Sequence, residues 1–177
     1  TTVTVGNFTA GGSSTIGNSS ILTIGGNYVS SGNGNTITNT AGTYTNTGNM
    51  NFAGFITTIN NMAVANIDGD FQSIDAGEVT WNNLAGANTT YAGSTASDAD
   101  MNISANTSTN IFNYDRAGAQ NVYTPTDNYW NLSFNGSGNK IISGNHILKG
   151  NFVVNSALVA GTNKITFSGG SAQTIKI

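Results

Sequence analysis

The stretch GNYVSSGNGNTITNTAGTYTNTGNM, residues Gly26–Met50, begins and ends on one unit: glycine, asparagine and a large apolar residue. Copies at Gly6-Asn7-Phe8, Gly26-Asn27-Tyr28, Gly48-Asn49-Met50 and Gly69-Asp70-Phe71 follow one another in steps of 20, 22 and 21 along the sequence. The gap from Asp70 to Asn151 equals four more steps, and the expected positions hold Thr90-Tyr91, Asn110-Ile111 and Asn131-Leu132. A fixed period is the signature of a repeat architecture. We therefore predict one unbroken apolar column along the chain.

Other columns share this period. One apolar column runs through Ile16, Ile37, Ile59, Val79, Met101, Val122 and Ile142, and another through Leu22, Tyr44, Val64 and Leu84. An asparagine file at Asn18, Asn39, Asn61, Asn82 and Asn102 follows the first of these columns, and a threonine file at Thr15, Thr36 and Thr58 precedes it. Several columns with one period indicate a genuine repeat, which loses definition over residues 86–128.

The apolar residues occur in short alternating bursts such as Val3 and Val5, Leu22 and Ile24, or Ile165 and Phe167. Alternation over so few residues is typical of strands, and the turns between them are rich in glycine and asparagine. Short strands that return with this period predict an all-β fold, a parallel β-helix or β-solenoid of about eight to nine coils. We expect a single domain over residues 1–177, with irregular coils around 86–128.

An antiparallel alternative remains open. A pilin-like β-sandwich with strand exchange would use a terminal strand, residues 1–8, to complete a neighbouring copy. Asn33-Gly34 and Asn135-Gly136 are hairpin turn signals that favour this alternative.

The composition excludes several classes of protein. The 177 residues include 28 Asn, 25 Thr, 23 Gly and 17 Ser, but only 13 charged residues and no cysteine. Disulfides and cysteine metal sites are impossible, no apolar run is long enough for a membrane helix, and five cations are too few to hold a nucleic acid. Like charges in adjacent coils would repel, so the scarcity of charge agrees with stacked coils.

The C-terminal third carries a resemblance. Tyr129-Trp130-Asn131-Leu132-Ser133-Phe134-Asn135-Gly136-Ser137-Gly138-Asn139-Lys140, followed by Gly150-Asn151-Phe152 and Ile165-Thr166-Phe167-Ser168-Gly169-Gly170, resembles bacterial extracellular β-strand repeat proteins rich in Gly, Asn, Thr and Ser. The likeness is close over residues 129–177, and over residues 1–85 it is limited to the general style of the sequence. It implies a right-handed parallel β-helix with a structural or adhesive role at the cell surface or in a matrix, and it brings no catalytic motif.

Carboxylates cluster once, at Asp68, Asp70, Asp75 and Glu78, with Asp98 and Asp100 about one and a half coils later. Oxygen ligands from adjacent coils could hold calcium, which takes six to eight of them. The alternative is that these side chains lie in solvated turns. An unchanged melting temperature in chelator would exclude the calcium site.

A polysaccharide hydrolase or lyase is the enzymatic alternative. Its acidic and basic residues would be Asp98, Asp100, Asp115 and Arg116, and Tyr114, Tyr123, Tyr129 and Trp130 could stack on sugars. Aromatic residues in repeat proteins more often pack in the core or in turns. An acidic substrate needs a positive groove, which the few scattered cations do not provide. The only histidine, His146, is expected on a strand surface. We therefore predict no catalytic, cofactor-binding or metal-binding residue and no enzymatic activity.

Ice binding is a lesser alternative, because regular threonine arrays on a flat face can order water. The candidate arrays are Thr15, Thr36 and Thr58, a file that is expected to stop at Glu78, and Thr43, Thr45 and Thr47 on one strand. Glycosylation sequons occur at Asn7, Asn18, Asn88, Asn102, Asn106, Asn131 and Asn135, most of them expected from composition alone.

Both ends of the sequence are strand-like, at Thr1–Val5 and Gln173–Ile177, and we expect neither a signal peptide nor a capping segment there. This predicts either a segment of a longer repeat array or head-to-tail pairing between copies. The predicted function is a non-enzymatic extracellular structural protein, a subunit of a self-assembling filament or part of a surface adhesin. Its expected partners are other copies of the chain and surface glycans, with no nucleic acid, membrane span or cofactor.

Overall fold

The computed structural model describes residues 1–52, 55–72, 79–94 and 101–177, in which every regular element is a β-strand and there is no helix. The strands are β1 (Thr2–Val5), β2 (Phe8–Ala10), β3 (Thr15–Asn18), β4 (Ile21–Ile24), β5 (Tyr28–Ser30), β6 (Asn35–Asn39), β7 (Thr43–Asn46), β8 (Met50–Asn51), β9 (Thr57–Asn61), β10 (Val64–Ile67), β11 (Phe71–Gln72), β12 (Val79–Asn83), β13 (Asn88–Tyr91), β14 (Met101–Ser104), β15 (Ile111–Tyr114), β16 (Gln120–Val122), β17 (Asn131–Phe134), β18 (Lys140–Ile142), β19 (His146–Leu148), β20 (Phe152–Val154), β21 (Leu158–Val159), β22 (Ile165–Phe167) and β23 (Ile175–Lys176).

The strands form a parallel β-solenoid, as predicted. One sheet of nine strands, in the order β1-β4-β7-β10-β13-β15-β17-β20-β23, runs the whole length. Paired residues in this sheet lie about one period apart in the sequence, and the longest step joins Val64 to Asn88. The other sheets are β2-β5-β8-β11, β3-β6-β9-β12-β14, β16-β18-β21 and β19-β22. Nine stacked strands correspond to about eight coils of the predicted period.

The sandwich alternative is wrong. Every strand pairing within the described ranges is parallel. Asn33-Gly34 joins β5 to β6, and Asn135-Gly136 joins β17 to β18, but each turn connects strands of two different sheets. Gly34 and Gly136 adopt φ angles of +78° and +72°, which glycine allows without steric strain. The Asn-Gly pairs therefore form corners of the coil and not hairpins.

The first predicted column is not continuous. Phe8, Tyr28, Met50 and Phe71 stack in the four-stranded sheet, which ends at β11. Leu132 and Phe152 pair in the nine-stranded sheet instead. The same Gly-Asn-apolar unit serves at two different corners, because each corner needs a tight turn before a strand. The single-domain assignment, with irregular coils around 86–128, stays a prediction.

The other two predicted apolar columns are correct in the first coils, but in later coils the residues that pair differ from the predicted ones. Ile16, Ile37 and Ile59 are in register, but the next partners are Trp81 and Ile103, two residues beyond the predicted Val79 and Met101. In the remaining column Tyr44 pairs with Ala65, so Val64 points outward. A coil that lengthens by two residues keeps its apolar side chains inside, because side chains alternate with period two.

Aromatic rings fill the centre of the solenoid. Ring centroids 4.6 to 6.3 Å apart link one coil to the next in an almost continuous series from Phe8 to Phe167. The closest pair is Phe71 and Tyr91, which stack at 4.6 Å with nearly parallel rings. Most of these rings are fully buried, and each removes a large apolar area from water.

A buried asparagine ladder closes the corner between the five-stranded and nine-stranded sheets. The Nδ2 of Asn18 donates to Oδ1 of Asn39 (2.7 Å), Asn39 to Asn61 (2.9 Å) and Asn61 to Asn83 (3.2 Å). The predicted file is therefore correct through Asn61 and then continues at Asn83. Asn82 and Asn102 belong to outward-facing columns, because the coil is longer here than predicted. The ladder ends at the next coil, where buried Ala105 takes this inward position.

A glycine file forms another corner. The peptide nitrogen of Gly48 donates to the carbonyl oxygen of Gly26 at 3.0 Å, and Gly69 and Gly93 stack on the coils that follow. Beside them, the N–H groups of Asn27, Asn49 and Asp70 donate to the side-chain oxygen of the asparagine one coil earlier, at 2.8 to 2.9 Å. The constant geometry of this corner explains why the Gly-Asn unit repeats in the first half of the chain.

Candidate functional site

The acidic cluster lies only partly within the described residues. The Oδ1 atom of Asp70 accepts a hydrogen bond from the Ser94 N–H at 2.6 Å and lies 3.5 Å from Nη1 of Arg116. Asp75, Glu78, Asp98 and Asp100 fall outside the described ranges. Among the residues that the structure describes, no three His, Cys, Asp or Glu side chains are grouped to hold a metal ion. Asp70 thus takes the asparagine role at its corner and also pairs with a cation.

The cationic residues near this corner offer little to an acidic substrate. Arg116 is paired with Asp70, and Lys140 points inward, where its Nζ donates to the Arg116 carbonyl oxygen at 2.7 Å. Burial lowers the pKa of Lys140, and the nearby Asp115 opposes that shift. Of the predicted enzymatic set, Asp115 and Arg116 are described, and Asp98 and Asp100 are not.

The tyrosines predicted to stack on sugars are in the core. Tyr114, Tyr123 and Tyr129 are fully buried, so they pack in the core and do not offer the stacking surface that the enzymatic alternative requires. The hydroxyls of Tyr114 and Tyr129 share a hydrogen bond of 2.8 Å, and the Tyr129 hydroxyl donates to the Tyr123 carbonyl oxygen at 2.7 Å. Burial raises the pKa of Tyr114 well above its usual range, and the neighbouring Tyr129 adds to the shift. Trp130 alone of the four predicted aromatic residues is partly exposed.

His146 is also buried, against the prediction of a surface position. Its ring stacks on Tyr129 with centroids 5.9 Å apart, and Nδ1 lies 2.9 Å from the Gly144 carbonyl oxygen. His146 begins β19, whose first and third residues point inward. The sequence indicated a strand here. Which of its residues point inward depends on the register between coils, and the sequence pattern alone does not define that register.

The threonine file is longer than predicted. Thr15, Thr36 and Thr58 are in register, and Thr80 follows them, with Asn102 next. The prediction that the file stops at Glu78 is wrong, because the pairing of β12 with β9 places Thr80 beside Thr58. A second outward file beside it holds Gly17, Thr38, Asn60, Asn82 and Ser104. The five-stranded sheet therefore presents a flat face of small uncharged residues.

A second flat face was not predicted. The outward residues of β1, β4, β7, β10, β13, β15 and β17, seven of the nine strands of the long sheet, form two files that we call together the nine-strand face; beyond β17 the second file continues to Val153 and Lys176. One file holds Thr2, Ile21, Thr43, Val64, Asn88, Ile111 and Asn131, and the other holds Thr4, Thr23, Thr45, Asn66, Thr90, Asn113 and Ser133. Thr43 and Thr45 of the predicted threonine strand lie here, whereas Thr47 follows the end of β7. None of these fourteen described residues is charged.

The two ends of the described stack expose apolar side chains of the core. Val3 belongs to an inward column but is 47% exposed, and a cavity of about 300 Å³ opens beside it, lined also by Ile16 and Leu22. At the opposite end Leu158 and Ile175 are inward-facing and also exposed. Each of these surfaces would be buried by one further coil.

The glycosylation sequons differ in access. Asn7 is exposed, whereas Asn18 is buried in the asparagine ladder. The remaining five asparagines, at positions 88, 102, 106, 131 and 135, are half-buried.

The comparisons with known proteins give no relative: no family model, no curated protein and no solved structure matches this chain. In the described part of the chain there is no helix long and apolar enough to cross a membrane.

Proposed function

We propose that this chain is a non-enzymatic structural rod of an extracellular surface, either a subunit of a head-to-tail filament or a segment of a cell-surface adhesin. The observation that carries the proposal is the uninterrupted nine-stranded parallel sheet, whose end strands leave inward-facing apolar residues exposed. The resemblance of residues 129–177 to bacterial surface repeat proteins supports the extracellular location. The burial of the candidate aromatic residues disfavours the carbohydrate-degrading alternative.

The physical basis for assembly is the open edge. Unpaired strand edges bind further strands readily, and Val3, Leu158 and Ile175 would each leave water when another coil stacks on them. The additional coil comes either from the same polypeptide or from a second copy. When it comes from a second copy, the contact between the two ends is heterologous, so it extends a rod and need not close into a ring.

Electron microscopy of the purified chain over a range of concentrations tests this proposal. We expect filaments that lengthen with concentration, and we expect Val3→Lys to abolish them, because a charge would then be buried at the joint. Ile147→Lys is the control, since Ile147 is also exposed but points outward from β19. Particles with the length of a single chain at every concentration would contradict end-to-end assembly. So would the loss of filaments in Ile147→Lys to the same extent as in Val3→Lys.

Ice binding is a second candidate, favoured by the continuation of the threonine file to Thr80. Four threonines in register, about 4.8 Å apart along the rod, give the five-stranded face a regular array of hydroxyl and methyl groups. If this face orders water, Thr58→Tyr should abolish inhibition of ice recrystallisation, because one bulky ring would hold the flat face away from the ice. Thr90→Tyr, on the nine-strand face, should leave it unchanged. No inhibition by the unaltered chain excludes this candidate.

A further inference from the structure

The first file of the nine-strand face alternates between polar and branched apolar residues. Ile21, Val64 and Ile111 lie two coils apart from one another, and each is 37 to 45% exposed. The coils before, between and after them present Thr2, Thr43, Asn88 and Asn131 at the same position. The three branched apolar side chains therefore recur at a regular spacing of two coils along one file.

Over the seven coils from β1 to β17 the alternation is symmetric about the strand β10, and the sheet continues beyond them on one side with β20 and β23. Counting outward from Val64, the first neighbours are Thr43 and Asn88, the second are Ile21 and Ile111, and the third are Thr2 and Asn131. Polar residues therefore mirror polar residues, and apolar residues mirror apolar ones. A two-fold interface requires such a self-complementary surface, because each contact between two residues occurs twice.

We propose that two copies of this chain pack laterally through their nine-strand faces, with antiparallel rods and a two-fold axis along β10. This axis lies in the interface, parallel to the strands. The coils of the two copies therefore run in opposite order, but each of the two files faces the same file of the second copy. Val64 then faces Val64 of the second copy, and Ile21 faces Ile111. An axis parallel to the rod would instead place the apolar file opposite the polar one, which includes Thr23 and Asn66.

Charge and size agree with a weak contact between identical copies. The face has no charged residue among its fourteen described positions, and Lys176, five strands from β10 on the second file, would lie beyond the end of the second copy, so the two copies meet without repulsion between like charges. Seven strands about 4.8 Å apart, four residues long, give roughly 400 Å² on each partner, which is in the range of transient interfaces. We therefore expect a weak dimer in solution. When many rods lie side by side, the many weak contacts together give a stable association.

Cross-linking tests the geometry, since the chain has no native cysteine. Facing sheets pack about 10 Å apart, too far for a direct disulfide, so a short bismaleimide is the suitable reagent. We expect Val64→Cys to form covalent dimers about tenfold faster than Ile147→Cys, whose side chain is similarly exposed on another face. Ile21→Cys and Ile111→Cys should each cross-link poorly alone but well when mixed.

The experiment is done in the Val3→Lys background, so that end-to-end association does not contribute and a failure of the filament proposal is scored separately. Equal cross-linking of Val64→Cys and Ile147→Cys would overturn the lateral dimer. Efficient self-linking of Ile21→Cys, with no gain on mixing with Ile111→Cys, would overturn the antiparallel arrangement.

Discussion

Gly69→Ala should lower the melting temperature by roughly 6–12 °C, corresponding to a loss of about 3 kcal/mol of unfolding free energy. A β-carbon on Gly69 would overlap the carbonyl oxygen and carbon of Gly48, one coil earlier. Both are backbone atoms within the stacked corner, so a side-chain rotation cannot relieve the overlap. The strain can be relieved only if the two coils move apart, which weakens the strand pairing on either side.

Gly17→Ala is the matched control for this substitution. Gly17 lies on β3 and points outward, and no atom lies within 4 Å of the position of an added β-carbon. We expect its melting temperature to stay within about 2 °C of the unaltered chain, since surface substitutions usually change stability by less than about 0.5 kcal/mol. Thermal unfolding followed by circular dichroism measures both. Equal melting temperatures for the two variants would show that the glycine corner does not require close contact.

Asn61→Asp should also destabilise the fold by about 3 kcal/mol at neutral pH, although the two side chains have nearly the same shape. The Asn61 amide donates to Oδ1 of Asn83 and to the hydroxyl of Thr89, and its oxygen accepts from Asn39. A carboxylate keeps the accepted bond but loses the donated ones, and it places a charge at a fully buried position.

The pH dependence has a definite sign. Burial raises the pKa of a carboxyl group, so folded Asn61→Asp holds its proton at a pH where the unfolded chain, with an aspartate pKa of about 3.9, has lost it. The variant is therefore most stable in acid, and its stability falls as the pH rises from about 4 towards the raised pKa. Melting temperatures at pH 4 and pH 7 measure this.

Asn60→Asp provides the comparison, because Asn60 is the preceding residue on β9 and points outward. Subtracting its pH profile removes the contribution of the other titratable groups. If Asn61→Asp follows the same profile as Asn60→Asp, the ladder tolerates a buried charge and the assigned hydrogen bonds do not stabilise the corner.

The period and the strands were predictable from the sequence, because stacking requires like residues at like positions. The registers across the middle were not. Val79 and Trp81 both point inward, so a slip of two residues leaves the apolar pattern unchanged and invisible in the sequence. The error at the threonine file has the same origin, since the longer coil brings Thr80 into the file in place of Glu78.

The candidate site was harder to predict than the fold. Tyr114 and His146 have polar groups that suggest a surface role, yet both lie inside, where Tyr114 hydrogen-bonds to the Tyr129 hydroxyl and His146 to the Gly144 carbonyl oxygen. The nine-strand face was missed for another reason. The sequence pattern predicts an inward position for Val64, and only the pairing of Tyr44 with Ala65 shows that it points outward.

The sequential order of the nine-stranded sheet has a mechanical consequence. Each strand pairs with the strand of the next coil, so the hydrogen bonds between coils run nearly along the rod. Tension applied between the first and the last coil would act along those hydrogen bonds. The coils would therefore separate one at a time, and the bonds of all the coils would not have to break together. Each released coil of about 21 residues adds about 70 Å of extended chain. A rod of this kind under load would lengthen in steps and retain its remaining coils.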